Sequence, residues 1–293
     1  MNTDKEKDIS VIIVNYNTLD YLSGCLESVL QQSNISFETI VVDNNSRDQS
    51  CFMVKEKFSW VNLIENKENL GFAKANNQAI KICRGRYVFF LNPDTTIEPK
   101  CFQKMLSFMD KNPQIGLAGT KLLFPDQSFH PSVGDRYPGG HRAEKVMKGL
   151  TGDIAWVLGA SMISPLKTIK SLNGFDEKFF LYGEEQDLCL RIRRSGLSIG
   201  YIPDATVIHW GGKSERGNLP AEVWSKKIKA EYLFYSKHYP EKTIQAIRRA
   251  DLMQACWRIF SINLVIPFTK NKDELKNKLS KYTQVVKILR SRT

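Results

Sequence analysis

The sequence predicts an α/β domain on a mostly parallel sheet flanked by helices, followed by a helical, basic C-terminal extension. Three observations carry that expectation. Short β-branched runs alternate with stretches of helical periodicity over residues 9–91. Three of those runs end in clusters of Asn and Asp. Residues 221–293 hold 16 Lys+Arg against 6 Asp+Glu, so +10 of the formal charge of +11 lies there and the first 220 residues carry +1.

The elements follow in order. Ile9–Val14 (ISVIIV) is apolar on both faces, the pattern of a buried parallel strand. Asp20 to Gln32 places Leu22, Leu26, Val29 and Leu30 at helical spacing. Thr39–Val42 is a second strand, Val61–Ile64 a third, Phe72–Cys83 a helix, and Tyr87–Leu91 a fourth strand. Parallel sheets bind ligands at the carboxyl ends of their strands. Here those ends read Asn15-Tyr16-Asn17, Asp43-Asn44-Asn45 and Asn92-Pro93-Asp94. Asn and Asp also favour turns after strands, so no single cluster decides function. Leu122–Gly152 is rich in Pro and Gly and reads as a loop of the kind that covers substrates. Trp156–Ser164 reads as one buried strand, and the chain turns helical after Pro220.

Hydrophobic residues at 42% and charged residues at 25% fit a packed domain and exclude a disordered or collagen-like chain. The N-terminal MNTDKEKDIS lacks the apolar core of a signal peptide, which points to a cytoplasmic protein. Cysteines 25, 51, 83, 101, 189 and 256 form no CxxC pair, which argues against a zinc cluster or a disulfide framework and for small buried hydrophobes.

ISVIIVNYN, VVDNNSRDQS, ENLGFAKANNQAI, FLNPDTTIEP, WVLGASMI, NGFDEKFFLYGEEQDLCLR and VIHWGG occur in that order between Ile9 and Gly212. The series resembles the family-2 inverting glycosyltransferases of GT-A fold, by eye their rhamnosyltransferase-like branch. The resemblance implies a Rossmann-like GT-A domain over residues 1–220, with a nucleotide-binding half at about 9–120 and an acceptor half at about 121–220. Residues 221–293 are then a separate basic helical extension. The implied reaction moves a sugar from a nucleotide-diphosphate donor, dTDP-rhamnose or a UDP-hexose, to a glycan or polyprenyl-diphosphate-linked acceptor. The implied setting is polysaccharide and cell-envelope biosynthesis.

The resemblance also assigns roles. Asn92-Pro93-Asp94 stands where the family has its DxD-like motif, making Asp94 the carboxylate ligand of Mg²⁺ or Mn²⁺. His209 matches a second metal ligand, and Asn92 is left to the ribose or a metal-bound water. Val14, Asn15, Tyr16 and Asn17 would line the base and ribose, and Asp43 and Asn44 the pyrimidine and ribose edges. Asn69 and Gly71 open a helix whose free N–H groups suit an anion. Asn76 and Asn77 face the ligand or form a polar helix face. Glu185 takes the place of the family's base, with Glu184 and Asp187 as close competitors. Arg191, four residues after Asp187, would keep Asp187 ionised and structural. Trp156, Gly159, Ala160, Asp176 and Trp210 fall on the acceptor side.

Two other classes compete. A nucleotide-sugar-forming nucleotidyltransferase would carry a Gly-rich basic loop after the first strand, where this chain has Asn15-Tyr16-Asn17-Thr18. A nucleic-acid-binding protein would explain the basic tail, but no recognition motif appears and no nucleic-acid partner is expected. Leu275, Leu279, Tyr282, Val286 and Leu289 form one helical stripe rimmed by Lys272, Lys276, Lys278, Lys281, Lys287, Arg290 and Arg292. That pattern fits a helix lying in an anionic membrane interface at the inner face of the cell membrane. Packing on the body, or a homodimer through a coiled coil, would use the same stripe. Leu252–Phe268 is too short and interrupted to span a membrane.

Overall fold

The computed structural model describes residues 7–211, 219–269 and 272–291. Residues 1–6, Gly212 of the His-Trp-Gly-Gly run and Arg292 of the basic rim lie outside this set. The described chain falls into two compact units. Residues 7–137, 150–180 and 184–211 make up the first, and residues 138–149, 181–183, 219–269 and 272–291 the second.

In chain order the elements are β1 Lys7–Asn15, α1 Leu19–Leu30, β2 Phe37–Asp43, α2 Ser50–Lys57, β3 Asn62–Glu65, α3 Phe72–Ile80, β4 Gly85–Leu91, β5 Thr95–Ile97, α4 Cys101–Lys111 and β6 Ile115–Leu123. Then come β7 Phe129–His130, β8 Val133–Gly134, α5 Glu144–Met147, β9 Trp156–Val157, β10 Ser161–Pro165, α6 Leu166–Ser171, α7 Glu184–Arg194 and β11 Ser198–His209. The last helices are α8 Pro220–His238, α9 Glu241–Val265, ending in a 3-10 turn at Ile266–Phe268, and α10 Lys272–Arg290.

The main sheet runs β3-β2-β1-β4-β10-β6-β11-β5, with β7 pairing on β6. β1 pairs in parallel with β2 and β4, β2 with β3, and β6 with β11. β10 runs against β4 and β6, β5 against β11, and β7 against β6. Alternate residues of β1 point to opposite layers. Ile9, Val11 and Ile13 join the core of α1, α2 and α4, while Ile12 and Val14 join that of α3, α6 and α7. Burial on both faces is why the strand reads as an unbroken apolar run.

Trp156–Ser164 is not one strand. Trp156–Val157 pairs with Val133–Gly134 in a separate two-stranded ribbon, and Ser161–Pro165 joins the main sheet. Leu158, Gly159 and Ala160 make the step between them. The ribbon also gives the proline-rich stretch regular structure, with Trp156 Nε1 donating to the Arg136 carbonyl at 2.9 Å. All six cysteines are free; four are buried as expected, but Cys51 is half-buried and Cys256 exposed.

In the second unit α10 packs against α8 and α9. Leu289 is fully buried, and Leu275, Leu279, Tyr282 and Val286 are half-buried. The α10 stripe is therefore at least half covered, as in the alternative in which it packs on protein. Its basic rim is exposed at Lys272, Lys276, Lys278, Lys287 and Arg290. Lys281 instead lies over the Trp224 ring, 4.5 Å from its centroid.

Candidate functional site

The sheet register brings the strand-end clusters to one edge of the first unit. Asn15 is level with Asp43 across β1 and β2, and Ile13 with Leu91 across β1 and β4. Ser161 of the reversed β10 is level with Leu91, and His209 with Thr95. The Asn92 N–H donates to the Ala160 carbonyl at 2.9 Å, and the Trp210 N–H to the Asp94 carbonyl at 3.0 Å. Asn15, Asp43, Asn92, Asp94, Ala160, His209 and Trp210 thus gather at the carboxyl edge.

The ends of β1 and β2 are locked together. Asn15 Nδ2 donates to Asp43 Oδ2 at 2.6 Å and to Ser46 Oγ at 3.0 Å, and the Thr18 hydroxyl donates to Asn15 Oδ1. The Ser46 N–H donates to Asp43 Oδ1 at 2.8 Å. The Asn17 N–H donates to Ser46 Oγ at 2.9 Å, and the Arg47 N–H to Asn17 Oδ1 at 2.8 Å. Asn44 Nδ2 donates to the Gly71 carbonyl at 3.2 Å, and Asn44 Oδ1 accepts from Asn66 Nδ2 at 2.9 Å. Val14, Asn15, Asp43 and Asn44 are buried, whereas Tyr16 is half-buried and Asn17 exposed.

The α3 N-terminus differs from the expectation of free donors. The Gly71 N–H is taken by Asn69 Oδ1 at 3.0 Å, and the Phe72 N–H by the Phe180 carbonyl at 2.7 Å. Gly71 has φ +81°, and a Cβ there would sit 2.5 Å from the Phe180 oxygen. Asn76 donates back to the Phe72 carbonyl at 2.9 Å inside its own helix. Asn77 binds the Phe175 N–H and carbonyl and donates to Glu177 at 3.1 Å. Both amides are thus committed to protein, and Asn77 ties α3 to the loop that carries Asp176.

Asp94 and His209 are buried side by side, with His209 Nε2 3.4 Å from Asp94 Oδ1. Neither ring nitrogen of His209 has a hydrogen-bond partner. A buried imidazole whose ring nitrogens make no hydrogen bond is costly in a finished core, which makes the pair the candidate ligand position. Among the described residues no three His, Cys, Asp or Glu converge as a metal cluster. His130, from β7, is the neighbour that sequence reasoning missed; its ring lies 5.2 Å from that of His209. Burial lowers its pKa below the usual imidazole range. Nothing in Phe129-His130-Pro131 sets it apart from a loop histidine, because the contact depends on the β6–β7 pairing. The Trp210 ring stands 5.9 Å from Tyr21.

The three acids of α7 are sorted by their surroundings. Asp187 is fully buried and accepts from Arg191 Nε at 2.7 Å. Burial, and then the neighbouring Glu185 charge, raises Glu184 well above the usual carboxylate range. Glu184 Oε2 is buried without a hydrogen-bond partner. Glu185 lies against the strand step, where a Cβ on Gly159 would meet its Cβ at 3.7 Å. Arg193 secures the other end of the helix by donating to the carbonyls of Thr151 and Gly152 at 2.8 and 2.6 Å.

The acceptor-side residues are not all alike. Ala160 is buried, Gly159 and Trp210 are half-buried, and Trp156 is pinned by the Arg136 carbonyl. The Asp176 carboxylate accepts the Lys178 N–H at 2.9 Å, shaping its own turn.

Comparison with known proteins fits this arrangement. The profile of glycosyl transferase family 2 matches residues 10–162, and that of glycosyl transferase family group 2 matches residues 87–264. An O-antigen biosynthesis protein of Myxococcus xanthus is 28% identical over 235 residues, 74% of this chain but 18% of that longer protein. The N-acetylglucosaminyl-diphospho-decaprenol L-rhamnosyltransferase of Mycobacterium tuberculosis is 23% identical over 262 residues, covering 79% of this chain and 85% of that one. A mannosyltransferase from Pyrobaculum calidifontis, solved with GDP-Man and Mn²⁺, superposes with a TM-score of 0.62 at 14% identity, covering 97% of this chain and 87% of that one. The family 2 match takes in the edge residues from Asn15 to Ser161 and the group 2 match takes in His209 and Trp210, and the chain belongs to glycosyl transferase family 2, as a glycosyltransferase of GT-A fold.

Proposed function

We propose that the chain transfers a sugar, rhamnose from dTDP-rhamnose in the first instance, from a nucleotide-diphosphate donor to a lipid-diphosphate-linked glycan, with inversion at the anomeric carbon. A UDP-hexose is the second donor to test. The name of the mycobacterial relative supports a rhamnosyl donor and a polyprenyl-linked acceptor. The observation that carries the reading is the buried Asp94–His209 pair at the carboxyl edge of the sheet, with Glu185 lying against Gly159, next to the Ala160 whose carbonyl takes the Asn92 N–H.

Asp94 and His209 fit a divalent cation, because one supplies a carboxylate and the other an imidazole with no competing partner. Bound there, Mg²⁺ or Mn²⁺ would supply positive charge against the diphosphate leaving group. Glu185 acts as the base. As the acceptor oxygen bonds to the anomeric carbon, the bond to the donor phosphate breaks and its electron pair leaves with the nucleoside diphosphate. The acceptor proton passes to the Glu185 carboxylate. Burial and the Glu185 charge push Glu184 toward its neutral form, which leaves Glu185 as the proton acceptor of the two. Asp187 is taken by Arg191 and positions the helix. Gly159 leaves room beside Glu185 for the reacting sugar. Asn15, Asp43 and Asn44 shape the nucleotide end chiefly by fixing its backbone.

A thermal-shift panel of nucleotide sugars with Mn²⁺ or with EDTA tests the reading. A donor at 100 times its dissociation constant stabilises by ~2.7 kcal/mol. Stabilisation by dTDP- or UDP-sugars that EDTA abolishes is the expected result. No response to any nucleotide sugar overturns it.

A further inference from the structure

α9 has two faces. Ala255 and Ile262 are buried, and the helix packs against α8 and α10. Met253, Trp257, Phe260 and Leu264 are all more than half exposed, Trp257 at 64%. Phe268, in the 3-10 turn that follows, is 89% exposed. At about 100° per residue the four helical positions fall within an arc of ~60°, opposite Ala255 and Ile262. Arg249 is exposed one turn before Met253, and Arg258 is exposed beside Trp257. No acidic residue occurs between Asp251 and Asp273. A row of large apolar side chains turned to water marks a surface that something covers.

We propose that this face of α9 lies in the interface of an anionic membrane, with Trp257 and Phe260 inserted at its centre. Charge chooses the occupant. Residues 221–293 carry +10, so a second copy seated on the same face would bring two strongly positive surfaces together, whereas acidic lipid neutralises one. The stripe lies along the helix beside Gln254, Asn263 and Arg258, an arrangement that suits lying in the interface rather than crossing it. Among the described residues no helix is long and apolar enough to cross a membrane. The basic side chains of α10 add to the same field, while its apolar stripe is used within the unit.

The inference rests on the proposed reading for its purpose, since a lipid-linked acceptor is met at a membrane. Its test contains neither donor nor acceptor, so the two ideas fail separately. The full chain is sedimented with phosphatidylcholine vesicles with and without phosphatidylglycerol. Binding should require the anionic lipid and weaken with salt. Trp257→Glu/Phe260→Glu changes two exposed positions, so its thermal melt should match the wild type while vesicle affinity falls at least ~10-fold. Acyl-brominated lipid should quench part of the tryptophan emission, and that part should vanish in Trp257→Phe. The inference is overturned if the double variant binds acidic vesicles as well as wild type, or if neutral vesicles bind equally. A wild-type dimer that the double variant dissociates, with no vesicle binding by either, would assign the face to a second copy instead.

Discussion

Arg191 holds Asp187 through Nε at 2.7 Å while its two terminal nitrogens hold the carbonyls of Leu172 and Gly174, each at 2.9 Å. One guanidinium thus fastens α7 to the loop that precedes it and removes one of three neighbouring acids from the list of bases. Glu185→Gln should leave donor binding intact and lower turnover by ~10²–10⁴, the usual contribution of a general base. Asp187→Asn should act chiefly on stability, because it removes the buried carboxylate that holds the half-buried Arg191 guanidinium. Donor thermal shifts beside steady-state kinetics separate the two. A mild Glu185→Gln with a crippled but stable Asp187→Asn would reverse the assignment.

Asp94→Ala should reduce turnover by ~10³ or more, since a bound cation contributes several kcal/mol of charge stabilisation. His209→Ala should lower Mn²⁺-dependent donor binding without unfolding the chain, because neither ring nitrogen makes a hydrogen bond that would be lost. Titration calorimetry with Mn²⁺ and donor reads the effect. Unchanged metal dependence in both variants would place the cation elsewhere.

Glu184 gives a pH signature. Its folded pKa is raised above the ordinary 4.5, so between those two values the folded state holds a proton that the unfolded state has released. Its contribution to stability is therefore full below about pH 4.5 and falls as pH rises toward the folded value. Glu184→Gln mimics the neutral carboxyl and removes that decline. The variant should be more stable than wild type at neutral pH, and the gap should close on acidification. Melting curves across pH check this; a gap independent of pH would mean that Glu184 is not held neutral.

Gly71→Ala combines a left-handed backbone angle with an oxygen 2.5 Å from the new Cβ, and should cost ~1–3 kcal/mol or more. Asn77→Ala should cost ~1–3 kcal/mol by stranding the Phe175 backbone groups. Urea unfolding measures both. A stable Asn77→Ala that fails only in donor binding would return Asn77 to the ligand.

The parallel strands were legible because both faces are covered. Val11 and Ile12 point to opposite cores, so the run carries no polar break. The break at Gly159 was not legible, since Trp156–Ser164 is apolar on either side of a step that only pairing partners reveal. β11 was not legible as a strand, because the register shift between Ile202 and Thr206 places Pro203 and Asp204 inside it. The α7 acids were legible as a cluster, and their sorting followed in part from the spacing of Asp187 and Arg191. Asn77 was ambiguous because an amide on a helix looks the same whether it meets ligand or loop. Periodicity showed which residues of α10 share a face but not what covers it. It missed the open face of α9 because Ala255 and Ile262 make the opposite side apolar too.

The lock between Asn15, Asp43 and Ser46 bears on how donor choice can change over evolutionary time or in the hands of an engineer. The atoms that would read a base there also tie two strand ends together, so a swap at Asp43 releases Asn15 and Ser46 at once. Variation that survives selection should therefore accumulate at Tyr16 and Asn92, which are half-buried on the same edge. Libraries aimed at a new nucleotide are better spent on those two positions, with the lock left as a fixed frame.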